Sequence, residues 1–334
     1  MKISTTAKVP LLGGDLNLPS GKKISDILLP IYKDANENDL IKIGVLDLDN
    51  PRYKDPSYNE LLIYKRTLDD LVSSKKIGKQ IFQRIDEIKK IEGFEEAQKN
   101  LKLWYKDDDL FSTDFDPMIM TFLRRLVEKI LCYFNLNSSY WELNHSETHK
   151  HKRRNLLKTI DENVEKALVP DITIEDLRNN LEVLIVEHGK QQLNDNRRKF
   201  FNDKFKSCIL LHDMLRSVYN ELRFVNEEIK TFDFSVFSVV TSGLEMKIFS
   251  LSLVAPELYV LQKISQYSLP RTIHSFSSLS KNAYELIKFR ILFDQNVNNL
   301  YNKLNAMSFL TSQHQQLKWI LELSLLNVLD FNKV

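Results

Sequence analysis

Two histidines are the first residues in this sequence whose spacing could support chemistry. His145 and His149 stand four residues apart, so on a helix their side chains share one face and can bind the same zinc ion. Zinc proteases with that spacing carry a glutamate directly after the first histidine, and this chain has Ser146 there. No cysteine lies nearby in the sequence to complete a tetrahedral site. The pattern therefore favours a solvated polar helix face, and the sequence predicts neither a metal nor a cofactor.

Two short basic clusters could contact phosphate groups. Lysine and arginine side chains that neutralise phosphates contribute affinity that carries no base-sequence information. Acidic residues share the predicted helix of the first cluster, which is typical of a solvated face or a nuclear-import signal. Nucleic-acid binding is therefore an alternative interpretation. It would use Lys150, Lys152, Arg153 and Arg154 in the first cluster and Arg197, Arg198 and Lys199 in the second.

The remaining patterns tested for catalysis are incomplete. Asp107, Asp108 and Asp109 form an acidic run, but it lacks the further aspartate that the magnesium motif of all-α isoprenoid enzymes requires. Gly14 and Gly21 precede Lys22 at the wrong separation for a phosphate loop. No nucleophile elbow, paired-cysteine motif or kinase signature is present. An all-α enzyme whose site is assembled from scattered residues is the second alternative.

The amino-acid composition further limits the classes of protein to which this chain can belong. The chain has 334 residues, a net charge of +2, 43% hydrophobic residues and only eight glycines. So few glycines disfavour folds whose backbone closely approaches phosphates or flavins. Cys132 and Cys208 lie among apolar residues and are interpreted as reduced core residues, which predicts an intracellular protein of the nucleus or cytoplasm. The most apolar stretch, 234–261, carries charged residues, so no membrane insertion is expected.

The elements that must position these residues are predicted to be helices. Phe200–Ile229 has apolar residues at alternating steps of four and three, the pattern of a bundle helix, and we take the chain to be organised around it. Residues 1–56 are irregular, with a loose strand-like alternation between Leu40 and Leu48, and form an extended or mixed N-terminal segment. Capping-box and apolar spacings then predict a helical subdomain over residues 57–115.

Residues 116–334 are predicted to form the main helical domain. Thr173 is interpreted as the cap of a helix whose inner face includes Ile174, Leu181 and Leu184, ending at Gly189. Beyond Phe232 the density of charged residues falls by about half, which predicts that this third is more deeply buried. The fold class is therefore predicted to be all-α, a multi-helix, bundle-like domain behind a short irregular or strand-containing segment.

The functional prediction follows from well-specified helices that lack a catalytic set. We expect a non-catalytic α-helical scaffold or adaptor subunit of an intracellular complex, with one or more protein partners. The last predicted helix, residues 315–330, is apolar around its whole circumference and must be buried in the core or against a partner. Its predicted interface residues are Trp319, Leu323 and Leu326.

Overall fold

A six-stranded mixed β-sheet forms the centre of the fold, so the all-α prediction is wrong. The computed structural model describes residues 12–14, 16–36, 39–73, 77, 79–91, 93–106, 117–136, 170–176, 181–189, 196–225, 234–242, 244–270 and 273–305. The strands are β1 Val45–Asp47, β2 Ile172–Asp176, β3 Leu181–Gly189, β4 Ser235–Ser242, β5 Glu245–Ala255 and β6 Leu258–Ser268. Their order across the sheet is β1-β6-β5-β4-β3-β2.

Strand directions give the sheet two parallel pairs. β3 and β4 are parallel neighbours, and so are β1 and β6. The pairs β2–β3, β4–β5 and β5–β6 are antiparallel. β1, β3, β4 and β6 therefore all run the same way. The carboxyl ends of β3, β4 and β6 lie together at one end of the sheet, whereas β1 ends at Asp47, which pairs with Leu261 near the start of β6.

The described residues also form seven α-helices around this sheet. They are α1 Ile24–Asp34, α2 Asn59–Ser73, α3 Lys79–Lys89, α4 Phe94–Lys106, α5 Pro117–Leu136, α6 Asn196–Val225 and α7 Leu279–Asn305. The helices predicted between residues 57 and 136 are confirmed, as is the long helix predicted at 200–229. That helix, α6, is not the seam of a bundle. It connects the parallel strands β3 and β4 and packs against one face of the sheet.

The helix predicted after Thr173 is wrong, because this segment forms the β2–β3 hairpin. Thr173 pairs with Ile185, and Ile174 pairs with Leu184. Residues 183–186 read Val-Leu-Ile-Val, and all four are buried, as in a strand covered on both faces. β-branched residues pack well on a pleated surface, and this preference outweighs a three-four apolar spacing.

The second face of the sheet packs against α7. Phe237 on β4 contacts Phe289 and Phe293 on α7, with ring centroids 5.4 and 5.5 Å apart. Buried side chains from α3, α4 and α5 join the same core. The low charge density beyond Phe232 is explained by this arrangement, because β4 and β5 are interior strands buried on both faces.

The N-terminal segment forms a smaller core of its own. Leu12, Ile24 and Leu28 pack with Leu46 of β1 and Leu258 of β6. The strand expected between Leu40 and Leu48 is confirmed only for Val45–Asp47, which is β1, because Leu40–Ile43 forms a 3-10 helix. β1 pairs with β6 along Val45↔Tyr259, Leu46↔Val260 and Asp47↔Leu261, so this segment supplies the edge strand of the sheet.

Candidate functional site

Charged side chains of β1 and β3 contact the first three turns of α6. Open sheets that contain parallel strands bind ligands in the crevice outside the carboxyl ends of those strands. Glu187 lies near such an end, two residues before the last residue of β3. Asp47, the last residue of β1, lies farther from that end, because it pairs with Leu261, the fourth residue of β6. The first three turns of α6 carry Asp203, Lys204 and Lys206.

Asp171 and Glu187 lie close together at one end of the β2–β3 hairpin. Asp171 directly precedes β2, and Ile172, the first residue of β2, pairs with Val186. The amide of Asp171 donates a hydrogen bond to the carbonyl of Val186, at 3.1 Å. Asp171 therefore lies beside the residue that precedes Glu187, and its charge acts on the Glu187 carboxyl group. Two neighbouring carboxylates repel each other unless a cation or a proton neutralises one of them.

Glu187 is the buried member of this pair. Its side chain is 4% exposed, and Lys206 Nζ lies 2.8 Å from Oε2. The other oxygen, Oε1, is buried and has no hydrogen-bond partner among the described residues. Burial raises the pKa of Glu187 to about 7; the hydrogen bond and charge of Lys206 oppose this shift, and the charges of Asp171 and Asp203 add to it.

Glu187 and its acidic neighbours are the residues that a divalent cation could contact here. Three carboxylates lie near one another, and one of them presents a buried oxygen that no neighbour in the described chain satisfies. Within the same described residues, no three or more His, Cys, Asp or Glu side chains are arranged tightly enough to enclose a metal ion by themselves. Magnesium does not require such an enclosure, because it usually keeps several waters and binds through one or two carboxylates together with substrate phosphates.

A second charged cluster lies on the other side of α6. Lys204 Nζ is 2.6 Å from Asp47 Oδ2 and 5.2 Å from the centre of the Phe249 ring. Asp49, two residues after Asp47, binds Lys65 at 2.8 Å. These carboxylates have lysine partners, so this cluster fixes α6 and α2 to the edge of the sheet and leaves no open carboxylate like that of Glu187.

The structure describes only some of the site residues that were predicted from sequence. Arg197, Arg198 and Lys199 lie in the first turn of α6, about 10–14 Å along the helix axis before Lys206. The predicted sites that fall outside the described residues are Lys150, Lys152, Arg153, Arg154, Trp319, Leu323 and Leu326, together with His145, His149 and the Asp107–Asp109 run. The two basic clusters are therefore not shown to form one surface.

Sequence reasoning missed Asp171, Glu187 and Lys206. The available signal was an acidic residue at each end of a hairpin: Asp171 follows Pro170 just before one β-branched run, and Glu187 closes the next. Interpreting Thr173–Gly189 as a helix concealed this signal, because the two carboxylates then lie more than four helical turns apart. They become neighbours only when the segment folds back on itself.

Comparison with protein-family models, with curated proteins and with solved structures finds no match for this chain. Among the helices that the structure describes, none is both long enough and apolar enough to cross a membrane.

Proposed function

We propose that this protein is a divalent-cation-dependent hydrolase that cleaves phosphodiester bonds in nucleic acid. The observation that carries the proposal is the buried Oε1 of Glu187, which has no hydrogen-bond partner among the described residues and lies beside Lys206 and the charge of Asp171. A catalytic function was not predicted from the sequence, because these residues are scattered along the chain. The following paragraphs give the support for each part of the proposal.

A divalent cation accounts for the burial of Glu187. An ionised carboxylate without full hydrogen bonding is costly to bury, and one lysine satisfies only Oε2. Asp171 and Glu187 are the residues that would hold a magnesium or manganese ion, whose charge would offset both carboxylates. The charge of Asp203 also raises the pKa of Glu187, so it adds to the negative potential that would attract a cation.

Phosphate is the ligand that fits the groups at the start of α6. The exposed amides and the dipole of a helix N-terminus attract anions, and α6 begins here. Its first turn contains Arg197, Arg198 and Lys199, which were the sequence-predicted phosphate contacts. A polynucleotide offers phosphates to these positions and to the carboxylate pair at the same time.

The chain's own residues have defined roles in such a reaction. Asp171 and Glu187 would hold the cation, which would supply a lowered pKa for a bound water and positive charge for the phosphate. Lys206 fixes the orientation of Glu187 and places a positive charge beside the reacting phosphate. A water oxygen bonds to phosphorus, and the bond from phosphorus to the leaving oxygen breaks. The water loses a proton and the leaving oxygen gains one, so the products are a phosphate monoester and an alcohol.

The scaffold function, the protein partners and the nuclear or cytoplasmic location stay predictions. Trp319, Leu323 and Leu326 are the residues on which the interface prediction depends, and they lie outside the described structure. The raised pKa of Glu187 and its converging charged neighbours are features of catalytic sites, which is why we place hydrolysis first.

The test is cation binding followed by cleavage. Manganese binding to the purified full chain would be measured by electron paramagnetic resonance, and cleavage of labelled DNA and RNA would be measured with magnesium or manganese. We expect Asp171→Asn and Glu187→Gln each to weaken manganese binding at least tenfold and to abolish cleavage.

The matched control is Glu182→Gln, which makes the same chemical change on the same strand. Glu182 lies five residues before Glu187, about 16 Å along β3, and should leave both measurements unchanged. Equal manganese affinity in the wild type and in all three variants would overturn the cation site. Manganese binding without cleavage of either nucleic acid would overturn the hydrolase.

A further inference from the structure

Two serines near Glu187 have buried hydroxyl groups that make no hydrogen bond with the described residues. Ser207 on α6 is 1% exposed, and Ser238 on β4 is fully buried. Neither Oγ atom has a hydrogen-bond partner there, and the same is true of Oε1 of Glu187. A buried polar group without a partner destabilises the folded state, so such groups occur mainly where they serve a function.

Ser238 lies on the same face of the sheet as Glu187. It pairs with Ile185, which lies two residues before Glu187 on β3. Side chains alternate along a strand and paired residues share a face, so Ser238 and Glu187 point to the same side of the sheet. Lys206 contacts Glu187, so α6 covers that side. One strand spacing and two residues separate Ser238 from Glu187, which is about 8 Å between Cα atoms.

Ser207 points toward the sheet from α6. Residues four or eleven positions apart lie within about 40° of one another around a helix. Ser207 therefore shares a face with Leu211 and Val218, whose side chains are fully buried. Because α6 packs on β3 and β4, the hydroxyl group of Ser207 lies between the helix and these two strands.

Two contacts of α6 locate Ser207 above the part of β4 that carries Ser238. Lys204, three residues before Ser207, places its Nζ 5.2 Å from the ring centre of the phenylalanine that pairs with Ser238 on β5. Lys206 contacts Glu187 on β3, the strand on the other side of β4. The two hydroxyl groups and the Glu187 carboxyl group therefore lie around one place between α6 and the sheet.

We propose that Ser207 and Ser238 supply further oxygen ligands to the divalent cation that Glu187 would hold. This inference rests on the proposed function and adds neutral ligands to its acidic ones. Magnesium prefers oxygen ligands, and a serine or threonine hydroxyl holds the ion in many nucleotide-binding sites. Neutral oxygens also bind a cation without adding to the repulsion between Asp171 and Glu187.

A ligand role and a packing role predict different effects of removing these hydroxyl groups. A serine that stabilises the fold through a hydrogen bond would lose that bond on substitution by alanine, and the melting temperature would fall. A buried hydroxyl group without a partner instead costs free energy in the cation-free protein. Alanine should therefore leave the melting temperature in EDTA unchanged or higher, while the affinity for the cation falls.

The test measures manganese binding to the full chain by electron paramagnetic resonance, and the melting temperature in EDTA. We expect Ser207→Ala and Ser238→Ala each to weaken manganese binding about tenfold, and the double variant to weaken it further. Ser238→Thr keeps the hydroxyl group at a strand position that suits a β-branched side chain, and it should bind manganese nearly as well as the wild type.

The matched control is Ser265→Ala on β6. Ser265 is 7% exposed, and its Oγ also has no hydrogen-bond partner among the described residues. It pairs with Ile248, which lies next to Phe249 on β5 and therefore points to the face opposite α6. Ser265→Ala should leave the affinity for manganese unchanged.

The outcomes separate this inference from the proposed function. Wild-type manganese affinity in Ser207→Ala and Ser238→Ala, an equal loss in Ser265→Ala, or a lower melting temperature of the first two variants in EDTA would overturn the ligand role. Failure of the wild type to bind manganese would overturn it together with the cation site. Weaker binding in the two variants, without cleavage of nucleic acid by the wild type, would contradict the hydrolase and support the ligand role.

Discussion

Lys204 on α6 and Asp47 on the edge strand β1 form an ion pair with Nζ and Oδ2 only 2.6 Å apart. Two residues further along the same helix, Lys206 contacts Glu187 on β3, on the other side of α6. In the strand order, β3 lies four positions away from β1. The start of α6 is therefore attached to the sheet on both sides. The two pairs differ in one respect: Asp47 is neutralised by its lysine, whereas Glu187 retains a buried oxygen without a partner in the described chain.

Breaking the first pair should destabilise the protein. The side chains of Lys204 and Asp47 are 15% and 11% exposed, and removing one partner of a mostly buried pair costs about 3 kcal/mol, because the other charge stays buried. We expect Asp47→Ala to lower the free energy of unfolding by that amount in urea denaturation. Asp86→Ala removes an exposed i,i+3 pair with Lys89 and should change nothing measurable. Equal stability of the two variants would contradict the buried pair.

Glu187 should make stability depend on pH. Its pKa is raised from 4.5 to about 7 in the folded protein, so the folded state holds a proton that the unfolded state has released. Stability contributed by this group is present below pH 4.5 and is lost as pH rises through 7, at most about 3 kcal/mol. In EDTA we expect the melting temperature to fall between pH 5 and 8, and Glu187→Gln to remove most of that decrease.

A divalent cation should reverse this dependence. Manganese bound to the ionised carboxylates stabilises the folded state by mass action, and its affinity rises as the proton leaves Glu187. Melting temperatures measured at pH 8 with and without millimolar manganese test this. A wild-type melting curve that manganese does not move at pH 8, or that moves equally in Glu187→Gln, would contradict a cation at this position.

The sequence predicted the helices on this fold better than the sheet, for a physical reason. Helices at 59–136 and 196–225 carry a polar face toward solvent, and that face makes the 3.6-residue period visible. The strands β3, β4 and β5 are covered on both faces, so their residues are apolar in both alternating sets, and the period of two disappears. A continuous apolar run then resembles a buried helix.

The candidate site could not be predicted from the sequence, for a related reason. Asp171 and Glu187 are sixteen residues apart, and nothing in their spacing connects them until the β2–β3 register is known. Lys206 belongs to another element, and its role depends on where α6 crosses the sheet. Only the basic first turn of α6 could be selected from composition, because a run of like charges is a local feature.

The aromatic contact between β4 and α7 should be a principal source of stability on the second face. Phe289 is fully buried and meets Phe237 edge-to-face at 5.4 Å. Truncation of a buried phenylalanine leaves a cavity and costs about 3–5 kcal/mol. We expect Phe289→Ala to lose that much in chemical denaturation, whereas Phe82→Ala, whose residue is 50% exposed, should lose far less. Similar losses at both positions would argue against α7 as the cover of this face.

Gly44 fixes how closely β1 approaches β6. It precedes the first residue of β1, has φ +77°, and accepts a hydrogen bond from the amide of Tyr259 at 2.9 Å. A Cβ added here would lie 2.5 Å from the backbone carbonyl oxygen of Glu257, which cannot rotate away as a side chain can. Gly44→Ala must therefore move β1 away from β6, and with β1 the carboxylate of Asp47.

A second glycine separates this clash from backbone strain. Gly21 has φ +85° and open space where a Cβ would stand, so Gly21→Ala costs only the left-handed conformation, about 1–2 kcal/mol. We expect Gly44→Ala to cost clearly more in urea unfolding. In a double-mutant cycle with Asp47→Ala, the energies should not add, because displacement of β1 already weakens the bond to Lys204. Equal costs at the two glycines, or full additivity with Asp47→Ala, would mean that β1 does not depend on Gly44 for its place beside β6.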